Sequence, residues 1–219
     1  MATTGAVVFD LDGVLVNSEP LWEEVRRGLV QECGGRWGTD SQRRLMGMST
    51  QEWARYLSEE LGVGLPPEEV ARVVMDRVAA RYAEVLPLLP GAVEAVHRLH
   101  ARWPLGVASS SPRHLIGVVL GLAGLQSVFR TTVSSDEVGH GKPAPDVYLL
   151  AAQRLGVSAA ACAAVEDSSN GLRSAAAAGC CVIAVPRPNY PPEPDALALA
   201  SLVLNGLDAL TVEAVERIC

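Results

Sequence analysis

Asp10 and Asp12 stand two residues apart in Asp10-Leu11-Asp12-Gly13, at the end of the short apolar run Ala6 to Phe9. Carboxylates placed this way can attack an electrophile, exchange a proton or hold a hard cation. Further along lie three groups suited to handling phosphate. They are the serine triplet Ser109-Ser110-Ser111, Lys142 in Gly139-His140-Gly141-Lys142, and the acidic pair Glu166-Asp167 before Ser168. A carboxylate is a poor nucleophile toward a phosphate dianion, because like charges repel. It needs cations on either side: Lys142 supplies one, and a divalent metal held by the acidic residues supplies another. Each group also has an ordinary reading. Asp-x-Asp-Gly makes turns, Lys142 suits a solvated loop, and Glu166 and Asp167 suit the N-terminus of a following helix.

These residues need a scaffold that brings them together. Ala6 to Phe9 has the length and β-rich composition of a strand buried on both faces, and Gly13 lets the chain turn beyond it. Strands are predicted over Leu105 to Ser109, 131–134, 163–165 and 181–185, with a weaker apolar run at 202–204. Helices are predicted between them over about 92–101, 114–122, 144–155 and 170–178. This alternation predicts an α/β fold, a Rossmann-like parallel sheet core. In such sheets ligands bind at the carboxyl ends of the strands, where Asp10, Ser109 and Glu166 fall.

The first strand and the later series are separated by a stretch of different character. Leu21, Val25 and Leu29 recur at helical spacing behind Ser18 as a cap and Pro20 in the first turn. Further helices are predicted over 49–61 and from Pro66 or Pro67 to Val85, with Arg43 to Thr50 as a glycine-centred loop. Residues 17–88 thus read as an inserted helical cap, and 1–16 with 89–219 as a discontinuous core. Leu86 to Gly91, with two prolines and a glycine, is the return connection, and the proline-rich 186–194 is a surface loop near the site.

Composition removes several classes of function. Over 219 residues, 18 basic against 25 acidic side chains give a net charge of -7, which disfavours nonspecific nucleic-acid binding, and no membrane partner is expected. Five cysteines, an odd number without a Cys-x-x-Cys pair, suit a reducing cytoplasm, with Cys180 and Cys181 as small core residues. No leader-like segment or long apolar span is evident, and no exposed zipper argues against a monomer. Gly139 to Lys142 is too short for a P-loop, and the serines lack a Gly-x-Ser-x-Gly elbow.

DLDGVLVNSE, VASSSP, GKPAPDVY and VEDSSNG stand in the order and rough spacing of four motifs of the haloacid dehalogenase superfamily, and the chain resembles its branch with a helical cap. The resemblance implies that Asp10 attacks phosphorus and forms an aspartyl-phosphate. Asp12 would then act as general acid and later as general base. It further implies Mg²⁺ held by an Asp10 oxygen, the Asp12 main-chain carbonyl and Asp167, with Glu166 adjacent. Ser109, Lys142 and the main-chain amides of Leu11 and Ser110 would grip the phosphoryl group.

Within that superfamily, SEPLW, LLPG and VYLLAAQRLGV are similar to phosphatases of hexitol phosphates and 2-deoxyglucose 6-phosphate. The β-phosphoglucomutases place a histidine where this chain has Trp22, and an arginine just after the cap loop where it reads Gly47-Met48-Ser49-Thr50. The implied activity is a Mg²⁺-dependent phosphatase of a small phosphorylated sugar or polyol, with a phosphosugar mutase as the alternative. Glu19, Trp22, Arg44, Gly47 and Ser49 are the implied substrate readers, Trp22 having cap packing as its ordinary role. Dehalogenases of the superfamily lack the second aspartate, so Asp12 argues against that chemistry. A non-catalytic binding role would leave the intact motif residues unexplained.

Overall fold

Ala6–Phe9 forms β1, every side chain of which is fully buried. In the computed structural model, which describes residues 4–45 and 48–218, this strand lies inside a six-stranded sheet. The other strands are β2 (Leu105–Ser109), β3 (Phe129–Ser134), β4 (Cys162–Glu166), β5 (Cys181–Ala184) and β6 (Leu202–Val203). Their order is β3-β2-β1-β4-β5-β6, and every pairing is parallel. Parallel strands covered on both faces need continuous apolar runs, which explains AVVF in β1 and CAAV in β4.

Chain order reverses between β1 and β4. Such a switch point leaves a crevice beyond the strand ends, because the connections on either side leave in opposite directions. Asp10 follows β1 there, its amide donating to the Val165 carbonyl at 2.9 Å, so β4 fixes its main chain. Helices α5 (Ala92–His100), α6 (Arg113–Leu122), α7 (Asp146–Leu155) and α8 (Ser169–Ala177) join the strands. Val147, Tyr148, Ala151 and Ala152 on one face of α7 pack with Val8, Ala108, Val133 and Ala164 of the sheet in one apolar core.

The chain falls into two compact units, residues 1–17 with 88–219 and residues 18–87. The first contains the sheet. The second is helical: α1 (Glu19–Glu32), α2 (Ser41–Leu45), α3 (Thr50–Arg55), a π-helical turn (Tyr56–Glu60) and α4 (Pro67–Glu84). Its core includes Trp22, Val25, Leu29, Trp53, Leu57, Val74 and Tyr82. Ion pairs from Arg77 to Glu32 and Arg81 to Glu24 join α4 to α1 at the surface.

The structure differs from three sequence expectations. Ser18 stands before α1, but its hydroxyl makes no capping bond and is buried without a hydrogen-bond partner among the described residues. The stretch from Arg43 to Thr50 is not simply a loop, since α2 reaches Leu45 and Ser49 caps α3. Cys180 is a buried thiol as expected, whereas Cys181 is disulfide-bonded. No helix among the described residues is long and apolar enough to cross a membrane.

Candidate active site

Lys142 is the hub of the site. Its buried ammonium donates to Asp10 Oδ1 at 2.6 Å, the Ala108 carbonyl at 3.0 Å and Glu166 Oε1 at 2.5 Å. Residues 132 and 24 positions away in the chain thus meet on one side chain. The segment that carries it is held from behind by the Ser174 hydroxyl, which donates to the Ala144 carbonyl at 2.6 Å. Ser174 belongs to α8 (Ser169–Ala177), the helix that follows β4.

Glu166 ends β4 fully buried and fully engaged. Oε1 accepts from Lys142 and, at 2.7 Å, from the Tyr148 hydroxyl. Oε2 accepts from the Asp167 amide at 3.2 Å and the Ser168 hydroxyl at 3.3 Å. A buried carboxylate with both oxygens satisfied is a fixed point around which other groups are placed. Ser168 also caps α8, its hydroxyl accepting from the Gly171 amide.

Oxygens of Asp10, Glu166 and Asp167 lie within 4.8 Å of one another, all buried. A Cβ on Gly13, whose φ is +83°, would overlap the Asp167 carboxylate. Glycine therefore lets this turn close on the acidic group in a left-handed conformation. Lys142 pairs with two of these three buried carboxylates, Asp10 and Glu166. Burial pushes Asp10 up to about 8 despite Lys142, with Glu166 and Asp12 adding to the rise. Burial also works against the Lys142 charge, but the neighbouring Asp10 and Glu166 outweigh it and raise its pKa. Three buried carboxylates offering hard oxygen donors this close together fit a small divalent cation such as Mg²⁺.

Asp12 approaches from the turn after β1. Its Oδ2 accepts from the Ser111 hydroxyl at 2.6 Å and the Ser109 hydroxyl at 3.3 Å. Leu11 is buried in the same turn, its carbonyl accepting from the Leu15 and Val16 amides. Ser110 lies between the two serines, just beyond the end of β2. The structure thereby brings together Asp10, Asp12, Ser109, Lys142 and Glu166, with Asp167 in the acidic group.

Each described substrate reader of the helical unit makes a contact with another residue of that unit. Glu19 Oε2 accepts from Gln42 Nε2 at 2.7 Å. Trp22 is buried edge-on to Trp53, with the Arg26 guanidinium 4.6 Å from its ring centroid. Arg44 pairs with Glu60 at 3.0 Å and lies over the Tyr56 ring, while Ser49 forms a capping box with Glu52. These contacts give all four residues packing or capping work. Gly47 lies outside the described residues, as does Met46.

Sequence reasoning missed Tyr148 and the contact of Ser111 with Asp12. Tyr148 had a signal: it shares the buried face of α7 (Asp146–Leu155), and a buried phenol needs a partner for its hydroxyl. Ser111 had none beyond its place in the serine triplet, because the spacing does not show which hydroxyl meets which carboxylate.

The family model for haloacid dehalogenase-like hydrolases matches residues 4–179. Hexitol phosphatase B of Escherichia coli K12 is 34% identical over 215 residues, covering 95% of each chain. Fructose-1-phosphate phosphatase YqaB of the same organism is 32% identical over 173 residues, covering 79% of this chain and 92% of its own. Among solved structures, CbbY from Rhodobacter sphaeroides in complex with phosphate superposes with a TM-score of 0.84 at 28% identity, over 95% of this chain and 96% of that one.

Proposed function

The chain belongs to the haloacid dehalogenase-like hydrolases and is a phosphatase among them, and from that premise we propose that it hydrolyses a small phosphorylated sugar or polyol with Mg²⁺ through an aspartyl-phosphate. The observation that carries this reading is the buried bridge from Lys142 to Asp10 and Glu166 beside Asp167. It supports Asp10, paired with an ammonium and grouped with Asp167, as the carboxylate nucleophile. The named activities of the relatives on hexitol phosphates and fructose 1-phosphate support the substrate class.

The residues take these roles. Asp10 forms a bond to phosphorus as the ester P–O bond breaks, and Asp12 gives the departing alkoxide a proton. A water then attacks the aspartyl-phosphate, returning a proton to Asp12 and releasing phosphate. Asp10, Asp167 and the Asp12 carbonyl would hold Mg²⁺, which supplies neutralising charge to the phosphoryl oxygens. Lys142, Ser109 and the amides of Leu11 and Ser110 steady the same oxygens. Glu166 positions Lys142. In the helical unit, Glu19, Trp22, Arg44, Gly47 and Ser49 stay the proposed specificity residues, and the enzyme is proposed to work as a cytoplasmic monomer.

The test is release of inorganic phosphate from hexose, hexitol, pentose and triose phosphates, with Mg²⁺ or with EDTA, beside Asp10→Asn. Metal-dependent release by the wild type that falls to background in Asp10→Asn is the expected result. Isomerised sugar phosphate without net release would make the protein a mutase, and no turnover would defeat the reading.

A further inference from the structure

We infer that Ser111 is a positioning residue that presents one chosen oxygen of Asp12 for proton transfer, an inference that rests on the phosphatase reading above. Two hydroxyls, those of Ser111 and Ser109, converge on Oδ2 of Asp12. Oδ1 is buried and has no hydrogen-bond partner among the described residues. A carboxyl group whose one oxygen is tied by donors can rotate neither way without breaking them. The untied oxygen is then the one left to exchange a proton with a reacting group. A hydroxyl donor serves both roles of Asp12, since Oδ2 accepts as a carboxylate oxygen and, more weakly, as the carbonyl oxygen of the acid.

The shorter of the two bonds comes from Ser111, and Ser111 is itself held on both sides. Its amide donates to Ser109 Oγ at 3.0 Å, and its carbonyl accepts from Ser134 Oγ at 2.7 Å. Ser109 ends β2 and Ser134 ends β3, both fully buried. The position of the Ser111 hydroxyl is therefore set by two adjacent sheet strands. Ser109 is less suited to this task, because its oxygen lies farther from Asp12, at 3.3 Å against 2.6 Å for Ser111.

Proton donation matters in proportion to how poor the leaving group is, and this separates positioning of the acid from general damage. A sugar or polyol alkoxide needs the proton, whereas p-nitrophenolate departs without one. The experiment compares kcat/KM of wild type, Ser111→Ala and Ser111→Thr on p-nitrophenyl phosphate and on the best alkyl phosphate of the panel, with Asp12→Asn alongside. General acid catalysis contributes roughly 10²–10⁴-fold, so loss of its orientation in Ser111→Ala is expected to lower the alkyl reaction at least about tenfold. The aryl reaction should change far less, Ser111→Thr should recover most of the loss, and Asp12→Asn should show the same bias more strongly. An active wild type with equal losses on both substrates in Ser111→Ala, or with no rescue by threonine, overturns this inference alone. A wild type inactive on every phosphate overturns the phosphatase reading, and this inference with it.

Discussion

At the scale of single residues, an ammonium has three protons, and Lys142 spends all three on Asp10, Glu166 and a carbonyl of β2. Its head cannot wander, which suits a charge that must sit beside a reacting phosphoryl group. Tyr148 is the quiet member of this network. Its hydroxyl shares Glu166 Oε1 with Lys142, and burial together with the adjacent carboxylates raises the phenol well above its ordinary range. Removing that hydroxyl leaves a buried charged oxygen short of one donor. Tyr148→Phe should therefore lower unfolding stability by about 1–3 kcal/mol, read from urea denaturation midpoints. An unchanged midpoint would mean that Lys142 and the backbone satisfy Glu166 without it.

At the scale of elements, α8 shows a local preference yielding to a buried charge. Gly171 lies in its first turn, and intrinsic propensity favours alanine there by about 1 kcal/mol. A Cβ at that position would overlap the Glu166 carboxylate, which is fully buried and bonded at both oxygens. Displacing it would break bonds to Lys142, Tyr148 and Ser168 together, a larger effect than the gain in propensity. Gly171→Ala is thus expected to lower the melting temperature and the phosphatase activity together. A higher melting temperature with activity intact would show that Glu166 can move aside without loss. A glycine in a helix looks like a weak point in the sequence; here it is the space that the acid occupies.

At the scale of the whole molecule, buried ionisable groups set how the fold answers to alkali. Burial pushes the Cys162 thiol up to about 11, and burial with the nearby Cys162 pushes Cys180 up to about 12. In the unfolded chain both return to an ordinary value of 9.0. A group whose pKa is raised by folding adds stability that is complete below its unfolded pKa and lost as pH climbs through the folded one. Tyr148 has the same sign. Denaturation midpoints should accordingly fall as pH rises above about 9, measured against neutral pH. At neutral pH, iodoacetamide should modify exposed Cys33 while Cys162 and Cys180 stay protected until the fold opens. Fast labelling of either buried thiol in the native protein would contradict this burial.

Much of the fold and several groups of the site are legible in the sequence alone, because their causes are local. The run AVVF predicts β1, and alternating apolar segments predict the parallel α/β sheet, since burial on both faces demands continuous hydrophobicity. Strand ends mark Asp10, Ser109 and Glu166, for in such sheets the carboxyl ends face the ligand. Helix ends and caps were less legible. Ser18 has the right type for a cap but no capping bond, and α2 is too short to leave a periodic pattern. The partners of the site groups came from tertiary structure. Lys142 finds Asp10 across 132 positions, Tyr148 finds Glu166, and Ser111 rather than Ser109 lies closer to Asp12. A sequence states which side chains are available, but distances between strand ends depend on sheet order and register. Those are settled by packing the whole core at once.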